Sequence, residues 1–353
     1  MNQKPVLRLQ PGFFVEIERG VFLNGNTDHT KRGIIFAATG ASLWGLSGTS
    51  SQFLLGAYNV TSVWLTSVRI FSAGVLMFLL ALLLCREKVM GILRSKKDFF
   101  QAVMLGVAGL LFCQITYMTA IQHSNAGTAS VLQSLNVVLL ALYVALVTWT
   151  RPTKIEIFSV FLATGGVMMI STGGDLSTLM ISEEALFWGI ASAVAAVAYT
   201  VLAQSLVQKW GALPAVGVAM LSGGLVFLVF ARPWTHMPQV DAMGVAVFSF
   251  LVIGGTITSF GLFLQGVGDI GPVKATLLGT LEPVSAAIAA YVLLGTEFTW
   301  AEFVGFLGIM TTVFLVTLQK KEFQEELIPD NGDDGEDDTG SRTDAPDRGR
   351  SRH

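Results

Sequence analysis

The chain has 353 residues, 52% of them hydrophobic and 13% charged, about half the charged share of a typical soluble domain. That balance excludes disordered, collagen-like and coiled-coil chains, and two cysteines, Cys85 and Cys113, both in apolar runs, exclude a disulfide scaffold. The net charge of −3 is unevenly spread, because eleven of the 25 acids lie between Glu322 and Asp347; the nearly uncharged remainder reads as an all-α integral membrane protein.

In chain order, residues 1–32 form a polar cytoplasmic head ending in Lys31-Arg32, with nothing like a cleavable signal peptide. A helix rises about 1.5 Å per residue and lipid offers its backbone no partners, so about 20 apolar residues make one crossing. Ten stretches qualify: 33–55, 60–85, 99–121, 124–148, 153–172, 183–207, 213–231, 241–266, 271–294 and 300–318. Residues 33–172 thus hold five helices, 173–182 an external linker and 183–320 five more. The tail 321–353 is acidic, lacks an apolar face and is expected to be disordered. Its Asp330–Gly335 run is no calcium loop, since Gly332 and Ser341 stand where ligands are needed. With the N-terminus inside, nearly every Lys and Arg falls on one face, Arg86, Lys96, Lys97, Lys154 and Lys209 among them. Only Arg232 is left in an external loop, which sets both termini in the cytoplasm of a multi-pass cell-membrane protein.

Sliding residues 117–171 onto 263–317, a shift of 146, superposes Ala129, Leu132, Leu135, Val138 and Ala141 on Ala275, Leu278, Leu281, Val284 and Ala287. Thr150, Thr153, Glu156 and Val167 fall on Thr296, Thr299, Glu302 and Val313, and the loops and flanking helices coincide as well. Two copies of five helices each must enter the membrane from opposite sides. Such inverted repeats form a pseudo-twofold about a central site, the architecture of alternating-access carriers.

Residues Thr280-Leu281-Glu282-Pro283-Val284 followed by Leu293-Leu294-Gly295-Thr296-Glu297, with Trp44-Gly45 and Arg69 in the first copy, resemble the drug/metabolite transporter superfamily, specifically proteins with two EamA domains. The resemblance spans about residues 33–318 and implies ten transmembrane helices as two inverted five-helix repeats. The first copy departs from the pattern: Trp149-Thr150-Arg151-Pro152 replaces the Gly-Glu end of helix 4, and Asn136-Val137 replaces the Glu-Pro pair.

Two ionisable residues lie deep in the predicted spans, Arg69 and Glu282. Such groups cost about 2.5–3.5 kcal/mol at a helix centre, so they face the bundle interior or water. Arg69 is nine residues past Val60 and Glu282 eleven past Gly271, which puts them at similar depth, lining one cavity and in reach of one another. A second reading has Arg69 tying helices together and Glu282 marking a packing feature beside a kinking proline. Gln133 with Asn136, and Gln114 with Tyr117, share a three-residue spacing and hence a helical face; Tyr199 and Thr200 sit mid-helix. These uncharged groups can recognise a solute or simply bond neighbouring helices. Trp44, Phe260 and Phe263 offer an aromatic wall or ordinary packing, and Lys274 snorkels to the cytoplasmic face.

The composite reading is a secondary carrier of small organic solutes, an exporter of amino acids, related metabolites or drugs. Its partners are the solute, the bilayer and a proton or counter-transported solute; protonation of Glu282 would couple flux to a proton gradient. No catalytic residues, cofactor, metal or nucleic acid are expected, and the sequence leaves oligomeric state open. A channel and a membrane-embedded enzyme remain as alternatives, although the sequence has neither H-E-x-x-H nor paired intramembrane aspartates.

Overall fold

The computed structural model describes residues 27–149, 153–175 and 180–326. The head before Thr27, the departure at Arg151-Pro152 and the tail beyond Glu326 lie outside them. Ten long helices, α1 to α10, account for nearly all of the described chain. They are α1 (Thr27–Ala57), α2 (Ser62–Arg94), α3 (Lys96–His123), α4 (Ala126–Val147) and α5 (Lys154–Thr172) in the first half. The second half has α6 (Glu183–Trp210), α7 (Ala212–Ala231), α8 (Ala242–Ile270), α9 (Pro272–Gly279, then Leu281–Leu294) and α10 (Trp300–Glu326). No strand occurs among the described residues.

Nine of these helices, α2 to α10, are long and apolar enough to cross a membrane. Nine of the ten expected spans therefore meet that measure among the described residues, and α1 is long but less apolar. Helix α1 falls short because Ser42, Ser47, Thr49, Ser50, Ser51 and Gln52 lie along it. It still reaches both faces of the bundle: Arg32 near its start pairs with Asp269 at the end of α8, and Tyr58 just past its end donates to Asp241 at the start of α8. Two other elements also differ from their predicted limits. The predicted end of the second span, Cys85, is a kink (φ −138°, ψ 38°) after which α2 continues to Arg94. Helix α10 runs on to Glu326, six residues into the segment expected to be disordered.

The contacts have the symmetry that the duplication requires. Helix α1 packs on α8 and α9 while α6 packs on α3 and α4; α2 meets α7, α5 meets α10 and α4 meets α9. Exchanging the two halves returns the same set. Local geometry repeats at the same shift of 146. A π-helical stretch in α3 (Leu105–Leu111) has its counterpart in α8 (Ile253–Thr258), within two residues of that shift. The break in α4 at Ser134 answers the one in α9 at Thr280, and the Thr153/Glu156 capping box answers Thr299/Glu302. Trp149 ends α4 in the left-handed region (φ 54°), where the second copy has Gly295 (φ 64°). Tryptophan is strained there, so the backbone repeats at this position although the residue types do not.

Small residues let the helices approach closely, as packing within lipid demands. A side chain on Gly166 would strike Gly305 and Ile309 across α5 and α10, and Gly305 in turn faces Gly166 and Ile170. The outside of the bundle is apolar: Leu83, Phe230, Leu146 and Phe161 are 73–82% exposed, a poor arrangement in water and the expected one in hydrocarbon. Arg32–Asp269 and Lys209–Asp98 (2.6 Å) lie at one face. At the opposite face the Tyr58 hydroxyl holds the Asp241 carboxyl below the usual carboxylate range, and the phenol is itself pushed up by that bond.

Candidate functional site

The deepest polar groups converge midway along the bundle, just beyond the π-helical stretches of α3 and α8. Such stretches rotate the following turns out of ideal helical register and often occur at functional positions. Arg69, on α2, is 94% buried by its 6% relative exposure. Its Nη2 donates to Ser47 Oγ of α1 at 3.1 Å and its Nη1 to Gln114 Oε1 of α3 at 3.5 Å. The Nε proton has no acceptor.

Around this guanidinium, Tyr117 and Ser130 share a 2.6 Å hydroxyl–hydroxyl bond between α3 and α4. The absence of a side chain at Gly48 lets the Tyr117 hydroxyl reach α1, since a Cβ there would lie 2.8 Å from it. Gln133 Nε2 points at Cys113 Sγ, 3.6 Å away. Glu282, at the first turn of the second segment of α9, lies within electrostatic range of Arg69, Tyr117 and Cys113. It makes no ion pair with Arg69; the ion pairs among the described residues are Arg32–Asp269 and Lys209–Asp98. Glu282, Gln114, Gln133 and Cys113 are only half-buried, so the cluster is not sealed.

The backbone that carries Glu282 is locked to α1. Gly45 faces the Glu282 carbonyl and Ser285, and Ser285 Oγ donates to the Ser42 and Glu282 carbonyls. One residue before Gly45, Trp44 tilts onto Phe263 with ring centroids 4.8 Å apart and meets Phe260 edge-on at 6.4 Å. An apolar wall therefore adjoins the charged centre. Phe263 in turn touches the space over Gly279 of α9, 3.9 Å from where a Cβ would be.

Of the ten residues singled out from sequence, the structure thus gathers Arg69, Gln114, Tyr117, Gln133 and Glu282 into one cluster, with Trp44 and Phe263 alongside. Tyr199 lies against α3 at Gly109 and within electrostatic range of Cys113, at the cluster's edge. Asn136 is half-buried just beyond the α4 break. Thr200 is exposed and its hydroxyl returns to its own helix at the Ala196 carbonyl, so it is not brought to the centre. Lys274 is exposed near the start of α9.

Sequence reasoning missed Ser47, Cys113 and Ser130. Ser47 had a signal, standing three residues after Trp44 on the same helical face. It also missed a buried acid, Glu302, which is 8% exposed, caps α10 through Thr299 and accepts from Thr128 of α4 at 3.5 Å. That carboxylate is satisfied by structure-forming bonds. Two cavities lie away from the cluster. One of about 460 Å³ runs between α5 and α10 past Phe161, Gly165 and Met169, and one of about 100 Å³ is enclosed by Leu54, Trp64 and Phe248. Both are lined mainly by apolar side chains; the Thr172 hydroxyl in the first and the Trp64 indole N–H in the second are bonded to the Met168 and Pro233 carbonyls. No group of histidines, cysteines or acids among the described residues could hold a metal ion.

Comparison with known proteins supplies a framework for this arrangement. Residues 31–172 and 184–318 each match the EamA-like transporter family, one match per half of the bundle. The chain is 36% identical over 293 residues to the uncharacterized inner membrane transporter YicL of Salmonella typhimurium, covering 83% of this chain and 97% of the relative. It is 24% identical to the uncharacterized inner membrane transporter YedA of Escherichia coli (81% and 90% covered) and 26% identical to the uncharacterized transporter YetK of Bacillus subtilis (69% and 75%). A protein of known crystal structure, 16% identical, shares the fold with a TM-score of 0.57, covering 83% of this chain and 98% of that one.

Proposed function

The chain belongs to the EamA-like transporter family and is a membrane transporter, and from that premise we propose that it is a secondary carrier of small organic metabolites working by alternating access. The observation that carries this reading is the Arg69–Glu282 centre, where the two halves of the bundle each contribute one charge at mid-depth. Arg69 comes from the first copy and Glu282 from the second, so a rocking of one copy against the other changes the space between them. A channel would need a continuous polar path, whereas here a charged centre is flanked by aromatic and aliphatic packing.

The carrier sits in the cytoplasmic membrane with both ends inside; the basic face that holds Arg32, Lys209 and Lys88 and the names of the relatives YicL and YedA support this. Its task is export of amino acids, related metabolites or drugs, driven by a proton or by exchange. Glu282 is the group that carries the coupled proton, reached through the half-buried side of the cluster.

Reconstituted protein tested with a panel of radiolabelled metabolites should show saturable counterflow of at least one. Glu282→Gln should keep counterflow, which needs no net proton movement, and lose accumulation driven by an imposed pH gradient by ~10-fold or more. Unaltered pH-driven accumulation in Glu282→Gln would remove the proton from Glu282. An ohmic ion current without counterflow would instead identify a channel.

A further inference from the structure

The backbone of the two halves repeats, but the contacts at the two ends of α4 and α9 do not. Ala126–Gln133 of α4 packs on Leu281–Leu294 of α9, and a Cβ on Gly127 would sit 3.0 Å from Ala287 Cα and 2.9 Å from the Phe298 ring. The symmetry-related segments at the other end, Asn136–Thr148 and Pro272–Gly279, have no such packing among the described residues. Gln52 of α1 bridges the packed end, accepting from the Ala126 N–H at 2.8 Å and donating to Thr296 Oγ1 at 3.0 Å. Gly255 meets Ser47 as its counterpart Gly109 meets Tyr199, so Gln204, five residues after Tyr199, is the equivalent of Gln52. Gln204 makes no hydrogen bond among the described residues. The asymmetry reaches single oxygen atoms. Glu302 and Glu156 each accept through Oε2 from the N–H and hydroxyl of the threonine three residues earlier. Glu302 Oε1 also accepts from Thr128 Oγ1 of α4 at 3.5 Å, whereas Glu156 Oε1 accepts from no described residue. At the shift of 146, Lys274 answers Thr128. It is exposed and takes part in no ion pair among the described residues, and nearby Asp269 is held by Arg32.

Resting on the alternating-access reading, with both ends of the chain in the cytoplasm, we propose that Lys274 and Glu156 are the cytoplasmic gate. The described structure is closed at its external end and open to the cytoplasm. When the external ends of α4 and α9 part, Lys274 Nζ donates to Glu156 Oε1 and closes the cytoplasmic end, as Thr128 and Glu302 close the external one here. Two inverted copies reach the opposite state by exchanging conformations, so a contact made at one end has a counterpart at the other. Both halves of that counterpart are in place: Lys274 stands in the first turn of α9 and Glu156 in the first turn of α5, each opening a helix at the same face. Lysine for threonine lengthens the reach and turns a hydroxyl–carboxylate bond into a charge-assisted one. Both groups sit at the water interface, so neither is stranded in hydrocarbon while the gate is open. The two ion pairs already formed on this face do not compete, because they join α1 to α8 and α6 to α3.

The test reads which end is open. Full-length Cys85→Ser protein in right-side-out and inverted vesicles is treated with a membrane-impermeant methanethiosulfonate reagent, and the rate of Cys113 modification is measured from each face. Lys274→Glu sets two carboxylates at the cytoplasmic mouth and disfavours its closure. It should slow modification from the external face ~3–10-fold relative to the cytoplasmic face, the size expected of an ion pair at the water interface turned to repulsion. An acid in the first turn of a helix suits its dipole, so the variant should fold, with melting in detergent unchanged. Adding Glu156→Gln removes the repulsion, keeps an acceptor for the cap and should return the ratio of rates to that of the parent. Thr128→Val loosens the external contact and should move the ratio the opposite way, a reversal of sign that general loosening of the bundle would not give. The gate is overturned if Lys274→Glu leaves the ratio unchanged, if Glu156→Gln does not restore it, or if Thr128→Val shifts it in the same direction. In each of those cases the carrier reading survives. Modification of Cys113 in the parent from one face only, or from neither, would remove the carrier reading and the gate together.

Discussion

Gly106→Val is expected to give the most damaged protein of any single glycine replacement in the bundle. Gly106 lies in the π-helical stretch of α3, and a side chain there would be driven into the backbone carbonyl of Ala219 on α7. Gly223, one turn further along α7, is pressed against the Gly106 carbonyl, so the two helices touch backbone to backbone at two places. Backbone cannot rotate aside as a side-chain end can. Overpacking a tight core costs about 1–3 kcal/mol, and a branched residue at this contact should reach the top of that range or exceed it. Detergent-solubilised Gly106→Val should therefore melt well below wild type or elute as aggregate. Gly261→Ala is the control: nothing lies within 4 Å of its missing Cβ, and alanine in a helix gains about 0.5–1 kcal/mol over glycine. Equal melting of the two variants would mean that α3 and α7 are not in contact at Gly106.

Arg69→Met is the second large effect, and it has a specific rescue. The substitution removes the bonds to Ser47 and Gln114 that hold α2 to α1 and α3, and it leaves the Glu282 carboxylate without its counter-charge. Each hydrogen bond from a charged donor is worth about 1.5–3 kcal/mol, so the substitution should cost at least that much. Combining it with Glu282→Gln removes the orphaned charge. The double variant should recover about 1–3 kcal/mol relative to the sum of the two single losses, the coupling expected of interacting neighbours. Transport should not return, because the Arg69 guanidinium is still missing from the centre. Strictly additive losses would show that the two residues do not act on one another.

Much of this fold was legible in the residues. The apolar lengths located the ten helices, although α2 runs nine residues and α10 eight residues past the predicted ends, and the shift of 146 anticipated which loops and caps would coincide. Composition was a poorer guide where a helix buries its polar face, as α1 does with Ser47, Thr49 and Ser51. Hydropathy cannot distinguish a serine facing a helix from one facing water. The kink at Cys85 lay at the end of the apolar run, but no residue type announced that helix would continue beyond it.

The candidate site was legible in part, for a physical reason. Intramembrane charges are costly enough to be conspicuous, so Arg69 and Glu282 stood out. Cys113 and Ser130 belong to residue types that sit equally well in ordinary packing, and only the meeting of α3 with α4 brings them beside Gln133 and Tyr117. Thr200 shows the reverse. It shares mid-helix depth with Tyr199 but lies about 100° further round the helix, and that rotation leaves it exposed.

The central claim is that the Arg69–Glu282 centre is open to each side of the membrane in turn. Cys113 stands within it, in electrostatic range of Glu282, and Cys85 is the only other cysteine in the sequence. In Cys85→Ser protein, a membrane-impermeant methanethiosulfonate reagent reports directly on access to that centre. Applied separately to right-side-out and inverted vesicles, it should modify Cys113 from both faces and block counterflow in each case. Modification from one face only, whatever solute is present, or from neither, would contradict alternating access at this site.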